Sequence, residues 1–295
     1  MLSHALLFGL FFIGLLIVAA IPWSLLYGFS NIIALLFSKA IRYRHAVMKE
    51  NLALAFPEKL EEERDEIIAK NYRNLADITV EALRGFFMSR QQVRKRHKII
   101  NPELLDAYYS KGQSVIGVAG HFNNWEWGAL SAGLQIKHKP IALYKPLANP
   151  LIDSFMRWTR AKKGTVMASN AKTAEAFEST KNETCIYILI ADQSPVDLEK
   201  AYWLTFLNQE TACLHGPEKY ASKYNYPVIY IDIQRVKRGQ YEIHLSELAT
   251  SPTELPEGAL TEAYMRKLEE SIKQTPHAWL WTHRRWKRTR KVKSA

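Results

Sequence analysis

His121 and Glu126 stand five residues apart in the run Gly120-His-Phe-Asn-Asn-Trp-Glu126, just after the apolar stretch Ser114 to Ala119. A histidine ionises near neutral pH, so it can take a proton from a hydroxyl and return it later. A carboxylate bonded to its other ring nitrogen would fix the tautomer and offset the charge that forms. On one continuous helix five residues rotate the direction by roughly 500°, which leaves the two side chains about 140° apart. They pair only if His121 lies in a loop and Glu126 in the first helical turn, so that the chain folds back. The same residues also suit a turn histidine satisfied locally, beside a glutamate that favours a helix N-terminus. His138, His215, His244, His277 and His283 are scattered with no H-x-x-H or H-x-H pair, so no metal site is expected. Cys185 and Cys213 form no C-x-x-C pair, and no G-x-S-x-G elbow occurs, so neither a cysteine zinc site nor a serine nucleophile is expected.

The elements that must position His121 follow from periodicity. Ser114 to Val118, Ile141 to Tyr144, Thr184 to Ile190 and Val228 to Ile233 are short β-rich runs. Helical patterns separate them around Trp125 to Gly133, Pro150 to Lys162, Lys172 to Thr180 and Pro217 to Tyr224. This alternation predicts an α/β fold, a mainly parallel sheet covered by helices. In such sheets ligand sites gather beyond the carboxyl ends of strands, where His121 falls. Tyr241 to Leu248 is expected as an edge strand, Pro252 to Gly258 as a loop, and Leu260 to Lys273 as a helix. Tyr43 to Met88 reads as amphipathic helices broken at Pro57.

From Ala5 to Phe37 there is no Asp, Glu, Lys or Arg, and Ala5 to Ile21 is apolar throughout. Roughly 20 residues cross the hydrocarbon as a helix, so an N-terminal transmembrane span is expected, then an interfacial helix after Pro22. Residues 1–38 form the anchor and 39–295 a single domain. Lys39, Arg42, Arg44 and Lys49 follow the span, which places the remainder in the cytoplasm. The chain of 295 residues carries 40 Lys and Arg against 29 Asp and Glu, a net charge of +11, with 47% hydrophobic residues; that composition excludes general disorder. Arg284, Arg285, Lys287, Arg288, Arg290, Lys291 and Lys293 crowd the C-terminus. Interleaved with Trp281 and Trp286 they would suit nucleic acid, but a tethered chain gains more by turning them to anionic lipid.

His121 to Glu126 matches the H-x4-D/E signature of glycerolipid-type acyltransferases, and its surroundings resemble the bacterial lipid A lauroyl and myristoyl transferases. The likeness covers Asn51-Leu-Ala-Leu-Ala-Phe56-Pro57-Glu58, Gly117 to Glu126, Tyr144-Lys145-Pro146-Leu147 with Asn149-Pro150, Arg160 before Gly164, Ala191-Asp-Gln-Ser-Pro195, and Pro276 to Lys287. That is nearly the whole chain, in order. Where relatives often carry a glycine-rich stretch forming a pocket wall, this chain has Thr205-Phe-Leu-Asn-Gln-Glu-Thr211.

The resemblance implies transfer of a fatty acyl chain from an acyl carrier protein thioester, or coenzyme A, to a hydroxyl of a lipid A precursor at the inner membrane. A lysophospholipid, aminolipid or other glycolipid is the alternative acceptor. It implies His121 and Glu126 as catalytic residues, and Lys145, Arg160, Asp192 and Gln193 as substrate-binding ones. Asp192 would bind a cation such as Arg160 or brace the site loop. No cofactor and no nucleic-acid partner is expected. With no serine elbow or cysteine–histidine pair, the acceptor hydroxyl is expected to attack directly, without an acyl-enzyme. Arg160 or backbone N–H groups near Gly120 are the expected oxyanion donors.

Overall fold

The computed structural model describes residues 2–290, so Lys291 and Lys293 lie outside the described residues. Helix α1 (Leu2–Ala20) is long and apolar enough to cross a membrane, and Leu6, Leu7, Leu10, Ile13, Leu16 and Ile17 lie exposed along it. Its other side carries Phe8, Phe11 and Phe12, which pack on Phe155. Pro22 bends the chain into α2 (Trp23–Leu35), continued by a π-helical turn (Leu36–Ala40). α3 (His45–Ala55) and α4 (Glu61–Gly85) follow, separated at Pro57 as expected. The α4 N-terminus is set by Glu63, whose carboxylate accepts from the Leu60 N–H, and by three acidic residues in its first turn.

The remaining elements are α5 (Arg90–Arg96), β1 (His97–Ile99), α6 (Glu103–Tyr109), β2 (Val115–Ala119), α7 (Gly128–Gln135), β3 (Lys139–Tyr144), α8 (Pro150–Ala161), β4 (Val166–Ser169), α9 (Thr173–Ser179) and β5 (Cys185–Ile190). After them come β6 (Ala201–Phe206), β7 (Gln209–Leu214), α10 (Gly216–Tyr224), β8 (Val228–Lys237), β9 (Gln240–Ala249) and α11 (Ala259–Gln274). Seven strands form one sheet in the order β1-β9-β8-β2-β5-β3-β4, with all neighbours parallel except β8 and β9. The expected α/β architecture is present. β9 was expected at an edge, yet β1 pairs outside it, because three residues after α5 add a strand too short to leave a periodic signal.

Both faces of the sheet are covered, so its strands are apolar on both sides. Ile116, Tyr187 and Val228 face a core with α3, α11, Trp279 and Trp281, whereas Val115, Ile186 and Ile229 face Val93, Leu105, Trp127 and Leu130. Thr205 to Thr211 belongs to the β6–β7 hairpin, whose turn residues Leu207 and Asn208 both have positive φ. Asn208 bonds the Ala55 carbonyl, and Phe206 and Leu207 are buried in the core. Within the stretch expected as a pocket wall, Phe206, Leu207 and Thr211 are thus buried, while Thr205, Asn208 and Glu210 are exposed.

α7 and the turn after α8 touch backbone to backbone. A Cβ on Gly133 would lie 2.5 Å from the Gly164 carbonyl carbon, and Gly164 itself has φ +89°. Gly133→Ala must push these segments apart, so we expect a loss of about 1–3 kcal/mol, read as a lowered thermal midpoint.

Candidate active site

Strand β2 ends at Ala119, and the chain turns through Gly120 to present His121. Asn123 adopts φ +50°, a conformation asparagine tolerates, and its side chain donates to the Ile233 carbonyl at 2.6 Å. The C-terminal segment pairs with this turn: Asn123 N–H donates to the Ala278 carbonyl and Leu280 N–H to that of His121. Buried asparagines hold that segment in place. Asn51 donates to the carbonyls of Trp281 and His283, and Asn71 to those of His277 and Trp279. Each such bond contributes about 1 kcal/mol net, and a bared carbonyl would cost more. The Asn51 stretch and the Pro276 to Lys287 stretch, far apart in sequence, meet here.

The partner of His121 is Asp192, which corrects the expected pairing with Glu126. Asp192 Oδ1 lies 2.6 Å from His121 Nδ1, while Oδ2 accepts from the His121 N–H at 2.9 Å and from Trp279 Nε1 at 2.7 Å. The cause is the parallel register. Ala119 is opposite Ile190, so two residues beyond the ends of β2 and β5 the side chains of His121 and Asp192 meet. Glu126 sits in a 3-10 turn (Trp125–Trp127) capped by Asn124, which points its carboxylate at α8, where Oε2 is 3.0 Å from Arg160 Nη2. Arg160 therefore pairs with Glu126 and not with Asp192.

Burial opposes charge on both members of the His121–Asp192 pair, and their mutual attraction outweighs it. Burial would lower the imidazole, but the Asp192 charge and hydrogen bond, helped by the Glu126 charge, raise it above its usual 6.5. Burial would raise the Asp192 carboxyl, but His121, its backbone N–H and Trp279 bring it down to about 2. With Nδ1 turned to the carboxylate, Nε2 faces outward, 3.3 Å from the Gln193 amide nitrogen. The backbone N–H of His121, one of the expected oxyanion donors, is already bonded to Asp192.

His121 and Gln193 line a cavity of about 990 Å³. Glu126, Arg160 and Lys145 share its lining with apolar residues that include Ala132 of α7, Ile231 of β8 and Ile243 of β9. Lys145 is exposed. Its turn is shaped by the buried Asp153, which accepts from the Tyr144 hydroxyl and the Leu147 N–H; nothing in the sequence marked that aspartate. Glu81 on α4 was also missed. It is fully buried and accepts from Asn124, Tyr241 and Tyr27, so it ties the turn after His121 to α2. Among the described residues no cluster of His, Cys, Asp and Glu could hold a metal ion.

The family model for bacterial lipid A biosynthesis acyltransferases matches residues 1–288. The chain belongs to that family. It is 25% identical over 274 residues to the lipid A biosynthesis lauroyltransferase of Escherichia coli, covering 92% of this chain and 88% of that one. A lipid A biosynthesis acyltransferase of Haemophilus influenzae is 26% identical over 288 residues, with 95% and 91% covered. The palmitoleoyltransferase of E. coli is 24% identical over 270 residues, with 90% and 86% covered. The protein is an acyltransferase of lipid A biosynthesis by family. Two relatives whose names give different acyl groups are almost equally similar, so overall identity does not select a chain length.

The C-terminal basic run is altered by the structure. Arg285 is buried, donating to the Ala212 carbonyl and approaching the Cys213 sulfur at 3.4 Å, and Trp281 is fully buried. Arg285 is a core residue and drops out of any lipid- or carrier-facing patch, while Arg284, Arg288 and Arg290 remain exposed.

Proposed function

We propose that the protein transfers a fatty acyl chain from an acyl carrier protein thioester to a hydroxyl of a lipid A precursor, with His121 as general base. The observation that carries this is the Asp192–His121 pair, with His121 lining a largely apolar cavity, in a chain of this family. The acceptor O–H gives its proton to His121 Nε2 as its oxygen forms a bond to the thioester carbonyl carbon. The tetrahedral oxyanion then collapses, the C–S bond breaks, and the imidazolium returns the proton to the leaving thiolate. No acyl-enzyme forms. We assign the oxyanion donor to the Gln193 amide, beside Nε2. The Glu126–Arg160 pair and Lys145 line the same cavity and would orient the anionic acceptor, arginine suiting bidentate phosphate contact.

The seating we propose is the inner membrane, with α1 spanning it and the catalytic domain on the cytoplasmic side. α8 packs against α1 and carries the exposed Leu151 and Trp158, and the exposed Leu147 just before it lines the cavity, so an acceptor lipid could enter from the bilayer. Purified protein in neutral detergent, given acyl carrier protein and coenzyme A thioesters with a lipid A precursor or a lysophospholipid, tests this by mass spectrometry. Acyl gain on the lipid A precursor from the carrier protein is the expected result; gain on the lysophospholipid alone would reject it.

The acyl chain would occupy the apolar part of this cavity. Ala132 is 7% exposed and lines it, so Ala132→Phe should shorten the space available. Each methylene excluded is worth about 0.8 kcal/mol, so preference should shift toward a shorter donor by about fourfold per methylene excluded. Competition between donors of two lengths reads this directly.

A further inference from the structure

We infer that the polar cleft between α2, α4 and the β8–β9 hairpin is a second lipid-binding site, which takes the phosphate of an anionic membrane lipid headgroup. The cleft measures about 900 Å³ and shares no lining residue with the catalytic cavity. Five cations, Lys39, Lys70, Arg73, Arg235 and Arg238, line it against two carboxylates, Asp65 and Asp77. Asp77 is already committed. It is buried, accepts from the Ser30 hydroxyl, and is shared between Arg235 at 2.5 Å and Arg238 at 2.6 Å. Lys70 pairs with Glu66, outside the cleft. Lys39 and Arg73 are exposed and enter no ion pair among the described residues.

His277, which lines the cleft, registers the resulting positive field. Burial lowers His277, and Lys70 and Arg235 lower it further; burial lowers His45, with Arg42 next. His45 Nδ1 is also a buried polar atom with no hydrogen-bond partner. An anion between these groups would meet both deficits, since charge-assisted bonds to arginine and lysine are the strong ones.

The rim argues for a lipid over a free ion. Leu35, Leu36, Ile41 and Tyr43 are exposed beside the cleft, and Lys39 lies at the end of the same helical stretch. Acyl tails along that apolar surface would leave a headgroup phosphate level with Lys39 and Arg73, whereas inorganic phosphate gains nothing from it. Cations at such a boundary attract anionic lipid, each measurably.

The inference rests on the membrane seating proposed above, and its test is independent of acyl transfer. Binding of short-chain phosphatidylglycerol, short-chain phosphatidylcholine and inorganic phosphate is measured by calorimetry on the full chain in neutral detergent. The wild type is compared with the double variant Lys39→Gln, Arg73→Gln, whose two positions are exposed and so leave the fold intact. Phosphatidylglycerol should bind the wild type and bind the variant at least about tenfold more weakly. Phosphatidylcholine and inorganic phosphate should bind neither well, and acyl transfer to a detergent-dispersed acceptor should be unchanged. Equal phosphatidylglycerol affinity in both proteins would overturn the inference. So would inorganic phosphate matching phosphatidylglycerol, which would make this a free-phosphate site.

Discussion

Replacing His121 with alanine should lower acyl transfer by about 10³-fold, within the range a positioned general base contributes. A general base would place the loss on kcat, because the proton it takes moves only as the carbon–oxygen bond forms. The fold should survive. The turn is held by backbone groups the substitution leaves in place: the Phe122–Trp279 bridge, Asn123 N–H to Ala278 and Leu280 N–H to His121. The thermal midpoint therefore serves as the control, and a folded variant with an unchanged rate would remove the mechanism. Direct attack by the acceptor predicts that donor thioester incubated with wild-type protein and no acceptor leaves the protein mass unaltered. A stable acyl adduct would contradict direct attack.

How much of this was legible in the sequence depended on whether the signal was local. β2, β3, β5 and β8 are apolar runs bounded by turns, and each lies within a few residues of its expected place. β1 and β4 are three and four residues long and carry no period. The β6–β7 hairpin lacks the glycine that usually marks a two-residue turn, because Asn208 and a buried Leu207 take the left-handed conformation instead. At the site, spacing offered His121 a local partner five residues on. The actual partner is 71 residues away and becomes visible only once β2 and β5 are known to be parallel neighbours in that register. Asp192 was singled out for the right region and its brace of the loop, but its contact with the imidazole could not be read from spacing. Arg285 shows the opposite limit: inside a run of cations nothing distinguishes the one that points into the core.

Asp192→Asn should cost about 10² to 10³ in rate and also move the pH profile, and the second effect is the more telling. In the wild type only neutral His121 can accept a proton, so the rate should rise with pH through a limb above 6.5, the direction in which Asp192 and Glu126 displace the imidazole. Asparagine removes the nearer charge and leaves burial, which acts the other way, so the limb should move down. The rate loss comes from hydrogen-bond polarity. Asp192 Oδ2 accepts from two N–H groups, His121 N–H and Trp279 Nε1, while Oδ1 faces Nδ1. An asparagine has one acceptor oxygen. If it stays with the two N–H donors, its NH2 faces Nδ1, which must then accept, and the proton moves to Nε2, where the base is needed. If it flips, two donors meet and the Trp279 contact is lost. A variant that merely loosened the turn would lose rate at every pH with its limb unmoved, so a profile measured across the neutral range separates a carboxylate acting on the imidazole from one that only braces the loop.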